Sequence, residues 1–323
     1  MPGATIVSQP PKPAAARETV VVRVGKRLKR TARRHLFLLV VLTPATIWIL
    51  AFRYLPITYL ADLSVQTGAA GQSKYVGGAN YREALSDSIF HTAVIHTVEY
   101  TVMFLAVQLP LALLIALGIN SLRRESARQT ALTLYFLPLV TSTVAAAVIF
   151  VYLYQPVYGL LNYVLTSIGL PGLSYLNSPT QALPAVTAMA VWKSLGFPVI
   201  IFLAGLQSIP RELYQAAAVD GAGAWRRFRR ITLPLLRPTI MLVLVIQGVE
   251  SLRVFTPVYV MTGTSGAAPG GPNNSTLVWS LDIYQQAFQF FRFGYAAALA
   301  MIMFVVVAVF MVIQVKVTRV DRR

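Results

Sequence analysis

Cysteine is absent from all 323 residues, so disulfides, thiol nucleophiles and cysteine metal centres are excluded. Acidic residues are scarce, 11 against 28 Lys and Arg, and charged residues of both signs make up 12% of the chain. Soluble domains carry about 25% charged residues, so this chain lacks the polar surface of a water-soluble fold. Histidine is rare as well: His91 and His96 are spaced poorly for a shared helical ligand set, and with His35 they form no metal constellation. Neither a Gly-x-Ser-x-Gly elbow nor a phosphate loop ending in Gly-Lys-Ser/Thr occurs. The chain is therefore expected to hold no metal or cofactor and to hydrolyse no ATP by itself.

What the chain does have is hydrocarbon, with 56% hydrophobic residues and a mean hydropathy of +0.63. That composition predicts an all-α polytopic membrane protein, because a helix satisfies its own backbone in lipid. Six apolar runs are long enough to cross: His35–Phe52, Thr97–Gly118, Ala131–Leu153, Ala182–Leu206, Thr239–Met261 and Phe293–Val315. Pro110 predicts a kink in the second, and Pro138 with Thr141, Ser142 and Thr143 a local bend in the third. A secretory signal is the rival reading of the first run. The run is long for a signal core and lacks a small-residue cleavage site, which favours an uncleaved span.

Around the spans, residues 1–34 read as a disordered, Pro- and Ala-rich tail that turns basic against acidic lipid. Residues 35–317 form the membrane domain and 318–323 a second short tail. Arg53 to Phe90 reads as a polar connection whose carboxylates, Asp62, Glu83 and Asp87, are too scattered in sequence to suggest a site. The stretch Tyr154–Gln181 contains no Lys or Arg and reads as an extracytoplasmic loop with a short helix around Leu160–Ile168.

Basic residues sit on one side: in both tails, in Arg123, Arg124 and Arg128 after the second span, and in the stretch Ser208–Pro238. The opposite connections offer little beyond Arg53, Lys74, Arg82 and Arg292. Both termini are therefore expected in the cytosol. This placement also accounts for the net charge of +17 without nucleic acid, since no folded basic module is left outside the membrane.

The stretch Ser208–Pro238, SIPRELYQAAAVDGAGAWRRFRRITLPLLRP, organises the rest. Pro210 and Glu212 mark a helix start, Gly221 and Gly223 a break, and Trp225 with Phe228 an apolar ridge among Arg226, Arg227, Arg229 and Arg230. Pro234 and Pro238 are expected to stop this second helix before hydrocarbon resumes. An amphipathic helix lying on acidic lipid is the plain reading of such a segment.

The same string resembles the coupling loop of binding-protein-dependent ABC importer permeases, whose pattern is Glu-Ala-Ala, three residues, Gly, nine residues, Ile-x-Leu-Pro. Gln215, Ala216 and Ala217 take the first places, Gly221 the glycine, and Ile231, Leu233 and Pro234 the last. Gln215 departs from the usual Glu and removes a charge. The stretches GLLNYVLTSIGLP from Gly159, VWKSLGFPVIIFLAGLQSIP from Val191 and RVFTPVYVMTG from Arg253 are similar to the carbohydrate-uptake branch, in particular the larger permease subunit of maltose-type importers. Thr256 stands where that branch often has Asp.

The resemblance covers roughly Leu36 to Val317. It implies a type I ABC importer permease fold in a bacterial inner membrane. It also implies a second permease subunit, two ABC ATPase subunits that bind the ATP, and an extracytoplasmic solute-binding protein as partners. The coupling residues it implies are Gln215, Ala216, Ala217, Asp220, Gly221, Ile231, Leu233 and Pro234.

Inside the spans, Lys193, Glu250 and Arg253 are expected near mid-membrane, where a charge is costly unless paired or wet. One reading is an ion-pair cluster that fixes helix packing. The other is that these residues, with Gln247, line a translocation cavity and hydrogen-bond sugar hydroxyls. A self-contained secondary carrier or a membrane-embedded enzyme is the alternative class. Uptake without an ATPase partner would mark the carrier, and an enzyme would need a catalytic cluster that the sequence does not display.

Overall fold

The computed structural model describes residues 40–68, 74–264 and 269–320. The tail 1–34, the opening of the first span and residues 321–323 lie outside the described residues. The chain divides into two units, Met1–Leu60 and Ala61–Arg323.

What is described of the first unit belongs to helix α1, Val40–Ser64. Its apolar side chains Val41, Trp48 and Phe52 are exposed, which suits a helix surrounded by lipid. The helix runs on past Phe52 through Arg53, so the expected polar connection begins later than the sequence suggested. A π turn over Leu50–Tyr54, in which the Leu55 N–H donates to the Leu50 carbonyl, opens the helix just ahead of Pro56. The pyrrolidine ring then meets a widened turn and the helix survives its proline.

In the second unit a two-residue hairpin pairs β1, Gln66–Thr67, with β2, Lys74–Tyr75. Helix α2, Ala79–Ser86, follows, and then α3, Ser88–Ser121. Asp87 caps α3 by accepting the Ile89 N–H at 2.8 Å, so the helix starts at Ser88, ahead of the apolar run from Thr97. It passes through Pro110 without interruption. Ala93, Ala112 and Ala116 are fully buried along it, giving neighbouring helices a close approach.

The third and fourth spans are both broken. Helix α4, Glu125–Val140, meets α5, Thr143–Leu153, at 96°, and α7, Ala182–Ser194, meets α8, Gly196–Gln207, at 49°. Between them lies α6, Leu160–Ser167, where a short helix was expected. Counting each bent pair as one span, the described residues hold six candidate membrane crossings.

Helix α9, Arg211–Val219, leads to α10, Ala224–Leu252, which is the largest departure from the sequence reading. Pro234 and Pro238 do not stop it. A π turn over Phe228–Thr232, closed by the Leu233 N–H on the Phe228 carbonyl, again precedes the proline. The amphipathic segment and the fifth span are thus one rod. That rod ends earlier than expected, at Leu252, and helix α11, Thr256–Thr264, restarts the chain. Pro257 has no N–H to give the Arg253 carbonyl, which removes one helix bond at this point, and its fixed φ suits the first turn of the next helix.

Helix α12, Trp279–Tyr284, packs between α3 and the last span, α13, Phe293–Val320. The Trp279 N–H donates to Thr97 Oγ1 at 2.8 Å and its indole N–H to the Leu299 carbonyl at 3.2 Å. The central core is built from side chains such as Met189, Phe202, Leu236 and Met261, all less than 2% exposed.

Candidate functional site

The loop between α8 and α10 is closed by a turn that its sequence dictates. Gly221 has φ +71°, a conformation that costs any residue with a Cβ about 1–2 kcal/mol. The Ala222 N–H donates to the Ala217 carbonyl at 2.8 Å and the Gly221 N–H to the Ala218 carbonyl at 3.1 Å. These two bonds are the Schellman pattern that satisfies the last carbonyls of α9. Gln215, Ala216, Asp220 and Gly221 are exposed on this end, Ala217 is half-buried, and Val219 is 89% exposed without apolar cover.

The other half of the motif lies on the first turns of α10. Ile231 is half-buried against the central core, while Leu233 and Pro234 are exposed. Trp225, 70% exposed, stacks on Phe228 with ring centroids 5.6 Å apart. Tyr214, which the sequence reading passed over, anchors α9 from beneath. Its side chain packs on the core and its hydroxyl lies 3.0 Å from Thr232 Oγ1. The structure thus gathers the expected coupling residues into two exposed patches carried by one buried root.

About 26 residues along α10 from the loop, roughly 40 Å at about 1.5 Å per residue, lies a cavity of about 500 Å³. Lys193, Gln247, Glu250 and Arg253 all line it, together with Tyr100, Phe104, Ser194, Phe197 and Phe255. Tyr100 and Phe104 stack at 5.8 Å, an i, i+4 pair on α3 that an aromatic-spacing scan would have found. Gln247 is 5% exposed, whereas Glu250 and Arg253 are exposed into open space.

The expected ion-pair cluster is not formed. Among the described residues the ion pairs are Arg128 with Glu125 and Arg292 with Glu83, and neither involves these three charges. Lys193 Nζ instead donates to the Leu139 carbonyl at 3.4 Å. The reason is the break in the third span, which places helix-end carbonyls closer to the ammonium than any carboxylate.

A second polar cluster, formed by residues the sequence keeps far apart, joins α2, α12 and α13. Arg292 pairs with Glu83 and lies 4.4 Å over the Tyr295 ring, and the Tyr295 hydroxyl donates to Asp87 at 2.7 Å. Glu83 and Asp87, scattered in sequence, therefore share one patch. Asp282 is 1% exposed beside them and accepts from Gln286 Nε2 at 3.2 Å. Burial pushes its carboxyl up to about 6, against the opposing effect of that hydrogen bond.

Comparison with known proteins identifies the family. Residues 108–320 match the family described as binding-protein-dependent transport system inner membrane component. The sulfoquinovosyl glycerol transport system permease protein SmoG of Agrobacterium fabrum is 35% identical over 89% of this chain and 94% of its own length. The trehalose/maltose transport system permease protein MalF of Thermococcus litoralis is 32% identical over 85% of this chain and 90% of its own. Among solved structures, a chain of a bacterial alginate ABC transporter in complex with an alginate pentasaccharide-bound periplasmic protein superposes with a TM-score of 0.78. It is 30% identical and covers 89% of this chain and 96% of that one. The chain is an all-α, multi-pass permease with the type I importer fold, and it belongs to the family of binding-protein-dependent transport system inner membrane components.

Proposed function

We propose that this chain forms one half of the membrane pathway of an ATP-driven importer for a sugar or oligosaccharide. The observation that carries the reading is the exposed Schellman turn at Gly221 set at the foot of a single rod, α10, that reaches the cavity. A nucleotide-hydrolysing partner gripping Ala216 to Gly221 moves Gln247 and Glu250 through the Tyr214–Thr232 contact, which joins α9 to the base of α10 across the short link at residues 222–223. The motor is external, because permeases of this family are the non-catalytic subunits and bind no ATP of their own.

The assembly consists of this chain, a second permease, two ABC ATPase subunits and an extracytoplasmic solute-binding protein. It lies in a bacterial inner membrane with both termini of this chain in the cytosol, on the side rich in Lys and Arg. The cavity has the volume of a small-ligand site, about 300–1,000 Å³. Its aromatic walls suit the apolar faces of sugar rings, while Gln247, Glu250 and Arg253 supply polar groups toward the solute and Lys193 stands in the wall. The sugars named for SmoG, MalF and the alginate transporter favour the same chemistry. Transport proceeds by alternating access between two states biased by ATP.

The test uses the absence of native cysteine. An Ala217→Cys variant carries a unique thiol, which is expected to crosslink to an engineered cysteine on the ATPase surface, with trehalose uptake into proteoliposomes strictly dependent on ATP. Crosslinks to lipid alone overturn the docking assignment. Uptake without the ATPase overturns the importer reading in favour of a secondary carrier.

A further inference from the structure

We propose that Lys193 is a positioning residue that clasps the two broken spans to each other at their bends, leaving the solute to Glu250, Arg253 and Gln247. The inference rests on the transport reading only for its functional consequence. Its geometric basis is independent of the solute.

Helix α4 ends at Val140, and the last four carbonyls of any helix lack partners within it. Thr141 turns back on Pro138, donating to its carbonyl both from the backbone N–H at 3.3 Å and from Oγ1 at 2.7 Å. Leu139 is served differently, by Lys193 Nζ from α7. The ammonium thereby sits at the negative end of the α4 dipole, where a cation is favoured. Leu139 and Lys193 both line the cavity wall, and the contact substitutes there for the missing helix turn.

The residues beside Lys193 are held in the same place. Ser194 accepts from the amide of Gln108 at 2.7 Å, and Gln108 on α3 is fully buried. Gly196 packs so close to α4 that a Cβ there would lie 2.4 Å from the Tyr135 carbonyl oxygen. Three of the four residues from 193 to 196 at the bend of the fourth span are thus engaged with α3 or with the end of α4. Glu250 makes no ion pair with Lys193, so the ammonium is committed to the backbone and not to a carboxylate that a solute could displace.

The experiment uses the complete transporter in nanodiscs. Leu137→Cys on α4 and Ala188→Cys on α7, both at exposed positions and the only thiols of the chain, carry spin labels for distance measurement. A single narrow distance is expected in the parent and in Lys193→Arg, and loss of that single distance in Lys193→Met. ATP hydrolysis stimulated by the binding protein is expected to fall about tenfold in Lys193→Met and to recover in Lys193→Arg. An unchanged narrow distance in Lys193→Met overturns the clasp, as does failure of Arg to restore it. A parent complex with no stimulated hydrolysis would instead count against the transport reading, because the distance measurement does not depend on it.

Discussion

The phenol of Tyr214 and the hydroxyl of Thr232 meet at 3.0 Å across the coupling loop, with Thr232 itself 4% exposed. This contact ties α9, which carries the Gly221 turn, to the base of α10, which lines the cavity. A force applied to the turn is therefore delivered to the rod at its root. The energy involved is modest, since a hydrogen bond of this type contributes about 0.5–1.5 kcal/mol net. Its value lies in direction, because α9 cannot pivot on the loop while the bond holds.

Removing either hydroxyl should loosen that joint. Tyr214→Phe and Thr232→Val are each expected to lower the sugar transported per ATP hydrolysed by several-fold, and the double variant should be no worse than the singles. In a double-mutant cycle on thermal stability the pair should show a coupling of about 1 kcal/mol. Strict additivity would mean that the two groups act separately.

Gly221→Ala should weaken coupling through the backbone alone. Nothing lies within 4 Å of the Cβ it would add, so no steric contact contributes. The cost is that of holding an L-residue at φ +71°, about 1–2 kcal/mol. Asn tolerates this region better and a β-branched residue worse. The expected order of stimulated ATP hydrolysis is therefore wild type, then Gly221→Asn, Gly221→Ala and Gly221→Val. Equal activity across the series would remove the turn from the mechanism.

The Gly221 turn was readable in advance because a turn is a local object, and a glycine after an alanine run carries its consequence within a few residues. The spans were readable for the same reason, through runs of hydrocarbon. The continuity of α10 was not, because whether a proline stops a helix depends on its surroundings, and the π turn at Phe228–Thr232 ahead of Pro234 has no simple composition signal. Pairings such as Arg292 with Glu83, 209 residues apart, and Lys193 with Leu139, 54 apart, were closed to a sequence reading. The second lies where spans bent by 96° and 49° bring their breaks together.

Asp282 makes stability depend on pH in a stated direction. Its carboxyl is raised from 3.8 to about 6 by burial, so the folded state takes up a proton before the unfolded chain does. Stability should therefore rise as pH falls from 7 toward 4, by about 1 kcal/mol between pH 7 and pH 5. Melting of the purified protein against pH reads this directly. Asp282→Asn keeps the hydrogen-bond partner for Gln286 without the charge, and should abolish this part of the slope while matching or exceeding the parent at pH 7. A variant with an unchanged slope would assign the effect to other groups.

Two glycines in the bent fourth span should respond differently to the same methyl. At Gly196 the added Cβ meets backbone, the Tyr135 carbonyl oxygen at 2.4 Å and Phe136 Cα at 3.1 Å, and neither can step aside without moving α4. At Gly205 it meets side-chain atoms, Thr239 Oγ1 at 2.7 Å and Leu236 Cδ2 at 2.9 Å. Overpacking a fitted interior costs about 1–3 kcal/mol, the upper part of that range applying where the obstacle is rigid. Gly196→Ala should therefore melt well below Gly205→Ala in detergent, and it should also broaden the α4 to α7 distance that Lys193 maintains. Equal melting temperatures would show that α4 yields at Tyr135, and the bend would then be a soft joint and not a fixed one.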